Sequence, residues 1–143
     1  VVRNGGETVH TFIKKVQETI DQLDTNDPSQ LSISIHLKNS LDALNSAVAW
    51  MIETFPKQPG KAAAGATSFL EMMGLISGGW MLARGVIEAD MQLKNKQGDK
   101  NFLNSKITTA QYFSQAFLSR APSLLYPITD CGDCVMEFEA SNF

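Results

Sequence analysis

The chain is poor in the residues from which most catalytic and metal sites are built. Two histidines and two cysteines occur in 143 residues, and a structural zinc site needs four such ligands, normally in paired clusters. The pair Cys131-Gly-Asp-Cys134 has no second pair to meet, and His10 and His36 fall on helical segments far from it in sequence. No metal is expected, and the thiols read as two cysteines in a flexible carboxyl-terminal tail. A redox dithiol of the thioredoxin kind needs a strand running into a helix, a context this helical sequence does not offer. Neither histidine has a serine, cysteine or aspartate constellation beside it, so no nucleophile and base are assigned. A di-metal carboxylate bundle needs a pair of inward-facing Glu-x-x-His repeats, which the chain lacks. No catalytic, cofactor-binding or metal-ligating residue is assigned on these grounds.

Basic charge is also sparse. Twelve Lys and Arg against 15 Asp and Glu give a formal charge of -3 with no basic cluster, and a nucleic-acid surface would need a concentrated basic stripe. No amino-terminal basic-then-apolar leader is present, and the longest uncharged apolar stretch, Met72 to Ala83, is far short of the roughly 20 residues that span a bilayer. A soluble cytoplasmic protein with no membrane span and no nucleic-acid partner is expected. The chain opens at Val1, and Val1-Val-Arg-Asn-Gly-Gly6 reads as a linker, so a piece of a longer polypeptide is expected. Phosphate-binding signatures are missing too: Gly78-Gly79 lies inside a helical pattern, not at a strand-to-helix turn.

What the chain does have is helical periodicity. Val9, Phe12, Ile13, Val16, Ile20 and Leu23 recur at helical spacing before the turn-forming Asp24-Thr-Asn-Asp-Pro28, which predicts a first helix from Glu7. Asp27 is placed as N-cap, Pro28 at the first helical position and Gln30 as a capping-box partner. The second helix then carries Leu37, Leu41, Leu44, Val48, Met51, Ile52 and Phe55 on its core face. Ser32-Ile33-Ser34-Ile35 alternates like a strand but is short, and it is assigned to the start of this helix. Pro56 and Pro59-Gly60 end it.

A third helix is predicted from about Ala62 to Gln97, with Lys94 and Lys96 in its last turn and Gly98 at its C′ position. Asp99 is the expected N-cap of a fourth, whose Leu103, Ile107, Ala110, Phe113, Phe117 and Leu124 face inward, with Pro122 ending or kinking it near Arg120. Met136-Glu-Phe-Glu-Ala-Ser-Asn-Phe143 reads as a mobile acidic terminus. Short connections between long helices predict an all-α, up-down-up-down four-helix bundle over residues 1–130, followed by a tail over 131–143.

The third helix is the most informative segment. Phe69, Met72, Ile76, Trp80, Ala83, Ile87 and Met91 lie on one side with Leu75, Leu82, Val86 and Leu93 beside them, an arc covering roughly half its circumference. Gly74, Gly78 and Gly85 project within about 40° of one another at the edge of this arc, each costing close to 1 kcal/mol against alanine in a helix interior. A helix packed close to the row would offset that cost. Met81 projects beside the glycines, apart from the core-filling Met72, Met73 and Met91. Lys106 falls on the inner side of the fourth helix between Phe113 and Leu124. It is read either as a lysine whose stem covers apolar surface or as the partner of a third-helix carboxylate. Glu71, Glu88 and Asp90 sit on helix edges as solvated or paired charges, and Arg84 and Glu88 stand one turn apart. The candidate packing or docking surface is therefore Gly74, Gly78, Trp80, Met81, Gly85 and Lys106.

The run Phe69-Leu-Glu-Met-Met-Gly-Leu-Ile-Ser-Gly-Gly-Trp-Met-Leu-Ala-Arg84, followed by Lys106-Ile-Thr-Thr-Ala-Gln-Tyr-Phe113, resembles the additional carboxyl-terminal helical domain of a bacterial branch of the acyl-CoA dehydrogenases, the branch similar to methylmercaptopropionyl-CoA dehydrogenase. The ending Glu137-Phe-Glu-Ala-Ser-Asn-Phe143 resembles the short acidic tail with which that branch closes. Cys131-Gly-Asp-Cys134 forms no part of the resemblance. The resemblance implies that the full-length enzyme oxidises an acyl-CoA at its α and β carbons, with a glutamate base and FAD located upstream of Val1. It carries no catalytic or flavin residue onto this chain. It implies a non-catalytic appendage, packed on the upstream dehydrogenase domains at the acyl-CoA entrance or at the subunit interface of a homo-oligomer. The alternative from a different class is a free-standing helical interaction module with no enzymatic activity, since fold alone does not give function.

Overall fold

A computed structural model describes residues 1–137. Every regular element among them is helical. The long ones are α1 (Glu7–Ile20), α2 (Pro28–Thr54), α4 (Ala66–Lys94) and α5 (Lys100–Ala116); the short ones are α3 (Pro59–Ala64), α6 (Leu125–Thr129) and α7 (Gly132–Met136). A 3-10 segment, Leu118–Leu124, connects α5 to α6.

The start of α2 follows from its sequence. Asp27 takes an extended conformation and its carboxylate accepts from the backbone N–H of Ser29 and Gln30, both at 2.9 Å, which satisfies two of the donors a helix start leaves open. The Gln30 side chain does not return to the N-cap as a capping box would have it. Its Oε1 accepts from the Asp24 amide at 2.9 Å instead, which fixes the preceding turn. Ser32 to Ile35 are helical: the cap and the apolar register that follows outweigh a short alternating run. Asp99 caps α5 through the amides of Asn101 and Phe102.

The third predicted helix is two helices. The chain turns at Gly65 between α3 and α4, because the Ile128 carbonyl oxygen comes within 2.7 Å of where a Cβ would stand, and only glycine admits so close a backbone. At the other end the C′ residue is Lys96, not Gly98. Lys96 has a φ of 55°, its amide donates to Leu93 O and the Gln97 amide to Gln92 O, the bond pair of a Schellman motif.

Helix α4 lies at the centre of the core. Phe69, Met72, Ile76, Ala83 and Val86 are buried against Leu37, Leu41, Leu44 and Val48 of α2 and Val16 and Ile20 of α1. Met91 and Phe55, assigned inward from the sequence, are 49% and 42% exposed. The fourth helix also departs from expectation. It stops at Ala116, and past it Leu118 and Ala121 are fully buried while Phe117 is 40% exposed. The 3-10 segment tightens the chain from 3.6 to about three residues per turn, which rotates the inward face away from Phe117, while Leu124 stays partly buried against the core. Ser40 joins this segment to α2, its Oγ 2.7 Å from the His36 carbonyl and 3.3 Å from that of Leu118.

Both ends are more structured than their composition suggests. Residues Asn4, Gly5 and Gly6 adopt positive φ, and buried Gly6 meets Ile52 so closely that a Cβ would lie 2.8 Å from its Cδ1. The segment read as a linker is a tight turn seated on α2. Cys131 and Cys134 belong to the first turn of α7, which packs on α3, and do not lie on an unstructured tail. Residues 138–143, where the acidic terminus was expected to continue, lie outside the described residues.

Candidate interaction surface along helix α4

Gly74 and Gly85 are exposed, and a Cβ built on either would meet nothing within 4 Å. Among the described residues nothing approaches these two positions closely, so the close approach expected along the whole row does not occur. At Gly78 the nearest atom is Phe113 Cζ at 3.0 Å, an aromatic edge and not a helix backbone. The closest packing belongs to the neighbouring Gly79, which is buried, with Leu118 Cδ2 2.8 Å and Leu37 Cδ2 3.4 Å from its Cβ position. The Gly-Gly dipeptide was the sequence signal for it; the choice between the two depended on where Leu118 would lie.

Leu70, Gly74, Gly78, Met81 and Gly85 follow one stripe at about 100° per residue, with Leu70 73% and Met81 55% exposed. Two solvent-facing apolar side chains thus alternate with bare backbone. Gly85 and Lys106 are brought together across a shallow groove between α4 and α5, which Glu88, Gln92 and Phe102 also line. Lys106 is exposed and not inward, its ammonium 4.7 Å above the Phe102 ring. It joins no ion pair among the described residues. A cation over an aromatic face is attracted by the ring quadrupole. Exposed aromatics continue along α5 and just past it: Phe102 and Tyr112 are 58% and 64% exposed, and Phe117, 40% exposed, stacks at 5.5 Å on half-buried Phe113.

Trp80 belongs to the other side of α4. Its indole N–H donates to Thr19 Oγ1 at 2.8 Å and its ring meets Phe12 edge-on at 5.5 Å, joining α4 to α1. Arg84 lies over the same ring, 5.4 Å from its centroid, with a weak contact to Met81 sulfur. It does not pair with Glu88, whose carboxylate accepts from Gln92 instead. Beside Trp80 an open groove of about 450 Å³ is lined by Glu7, Thr8, Thr11, Phe12 and Lys15. Of the six candidate residues, then, Gly74, Met81 and Gly85 form an open stripe, Gly78 borders α5, Lys106 is exposed on α5 itself, and Trp80 is an internal strut with an exposed edge.

Chemistry-bearing groups remain scattered. Glu7 and His10 make one Glu-x-x-His spacing, both exposed, and no group of three metal-ligating side chains occurs among the described residues. Residues 12–139 match the family described as acetyl-CoA dehydrogenase C-terminal like. The chain belongs to that family. A relative from Ruegeria pomeroyi, a 3-methylmercaptopropionyl-CoA dehydrogenase, is 30% identical over 136 residues, which are 95% of this chain and 23% of the relative. This member of the family therefore spans about a quarter of the length of the curated relative it matches. No helix among its described residues is long and apolar enough to cross a membrane.

Proposed function

We propose that this chain is the carboxyl-terminal accessory domain of an FAD-dependent acyl-CoA dehydrogenase, non-catalytic by itself and packed on upstream dehydrogenase domains of the same polypeptide. The observation that carries this reading is the match across nearly the whole chain to a dehydrogenase of which it covers only 23%. On this reading the complete cytoplasmic enzyme removes an α proton and a β hydride from an acyl-CoA, and FAD is held upstream. The four long helices of the domain form an up-down-up-down frame. That topology is supported by register: Gly6 lies opposite Ile52, Gly79 opposite Leu37 and Gly78 opposite Phe113.

The stripe Leu70, Gly74, Met81 and Gly85 with the α5 aromatics is the docking face, since exposed apolar side chains in a contiguous patch mark interaction surfaces. It meets the dehydrogenase body or a second subunit of a homo-oligomer. The direct test is a titration of the purified chain with FAD beside an acyl-CoA oxidation assay using an artificial electron acceptor. Neither flavin binding nor turnover is expected from the chain, and both are expected from the complete polypeptide. Stoichiometric FAD on the chain alone would overturn the assignment.

A further inference from the structure

The Cys131-Gly-Asp-Cys134 turn is seated on α3 through its two central residues, while both cysteines are exposed and unpaired. Gly132 is buried against Lys61, with its Cβ position 2.9 Å from the Lys61 backbone oxygen. Any side chain there would collide with main chain. Asp133 accepts from Lys61 Nζ at 2.7 Å, and the Lys61 side chain is only 21% exposed. One turn on, Met136 covers Gly60. The dipeptide between the thiols is thus held on Lys61 by two contacts, with Met136 on Gly60 adding a third to the same short helix, and the thiols stand on either side of the dipeptide at the surface.

Cys131 is the helical N-cap position of α7, with φ -80° and ψ -7°, and Cys134 lies in the first turn. Helical geometry over three residues places their Cα atoms about 5 Å apart, inside the window a disulfide accepts. The Cβ atoms of such a pair stand about 5–6 Å apart and must draw in to about 4 Å for the bond. Closure is therefore possible without moving α7 off α3, but it strains the first turn, and strained exposed disulfides are the readily exchanged ones.

We propose that Cys131 and Cys134 form a reversible dithiol–disulfide site whose oxidant is a small disulfide of the glutathione class. One cysteine thiolate attacks a sulfur of the oxidant, forming a mixed disulfide and releasing one thiolate. The second cysteine, deprotonated, attacks the protein sulfur of that mixed disulfide and releases the other. Two protein thiols and one oxidised glutathione become one protein disulfide and two reduced glutathiones, so atoms and electrons balance. Seating of the turn holds the second thiol beside the first, and this high effective concentration favours closure over accumulation of the mixed species.

The test equilibrates the full chain in buffers of varied reduced-to-oxidised glutathione ratio, quenches by alkylation and weighs the tryptic peptide that begins at Ala121. A direct passage from doubly alkylated peptide to unalkylated peptide two hydrogens lighter than the free dithiol, with mixed adduct at least tenfold less abundant, is expected. Cys134→Ser should trap one glutathione on Cys131. Lys61→Ala, which releases Asp133, should raise the mixed adduct of the otherwise native chain several-fold. Glutathione on both cysteines of the native chain, persistence of two free thiols at every ratio, or closure indifferent to Lys61→Ala would each overturn the proposal.

Discussion

Gly79 and Gly85 stand on the same helix and answer substitution in opposite directions. A side chain at Gly79 would meet Leu118 and Leu37, both fully buried, so neither can swing aside. Gly79→Leu is expected to cost about 1–3 kcal/mol in urea unfolding. Gly78→Leu meets only the edge of half-buried Phe113 and should cost less. Gly85→Ala meets nothing and should stabilise the chain by up to about 1 kcal/mol through helix propensity. Ser114 Oγ is buried without a hydrogen-bond partner among the described residues. Ser114→Ala is therefore expected to be neutral or stabilising by about 1 kcal/mol, because it removes an unsatisfied polar atom; a loss above that in the same measurement would show a hidden partner. The glycine row was legible as a periodicity, but its burial was not, since angle along a helix does not say which neighbour occupies that direction.

At the scale of elements, the two aspartate N-caps were readable because they act within three residues of themselves, whereas the C′ position expected at Gly98 fell at Lys96. Asp99→Ala removes the bonds to Asn101 and Phe102 amides and should lower stability by about 1 kcal/mol. The turn before α2 adds a pH dependence. The Asp24 carboxylate is held below its ordinary range by the Asn26 backbone N–H first and the Asn26 side chain second. A depressed folded-state value means its contribution is present above the ordinary aspartate range and lost as pH falls through the lowered one. Asp24→Asn should flatten the acid limb of a stability profile measured between pH 2 and 6. The breaks in the predicted elements came from non-local contacts. The Ile128 carbonyl divides α3 from α4 at Gly65, and the burial of Leu118 and Ala121 accompanies the 3-10 winding after α5. Neither contact lies within a sequence window that periodicity can sample.

For the whole molecule, the open stripe of α4 is the test of how the domain is used. In the isolated chain Met81→Glu should leave the unfolding midpoint within the error of a surface substitution, since Met81 is 55% exposed and its sulfur makes only a weak contact with Arg84. In the complete polypeptide the same change buries a charge if the stripe docks, and unpaired buried charge is costly. Faster proteolytic release of the domain or loss of subunit association is then expected, read by limited proteolysis and sedimentation. Gly85→Ala supplies the complementary reading: stabilising in the isolated chain, and destabilising in the complete protein where backbone is closely approached. Identical behaviour in both contexts would move the docking face away from α4.

Helix content, both aspartate caps, the apolar arc of α4 and the family resemblance could all be read from the order of residues, because each depends on neighbours within a few turns or on a contiguous motif. Which glycine is buried, where the long helix breaks, and the exposure of Lys106 depended on the packed arrangement. So did the seating of the Cys131 to Cys134 turn on Lys61, a contact spanning 72 residues from Lys61 to Asp133. These features arise from atoms brought together across the chain, whose positions are set only when the hydrophobic faces of α2, α4 and the carboxyl-terminal segments are buried at once.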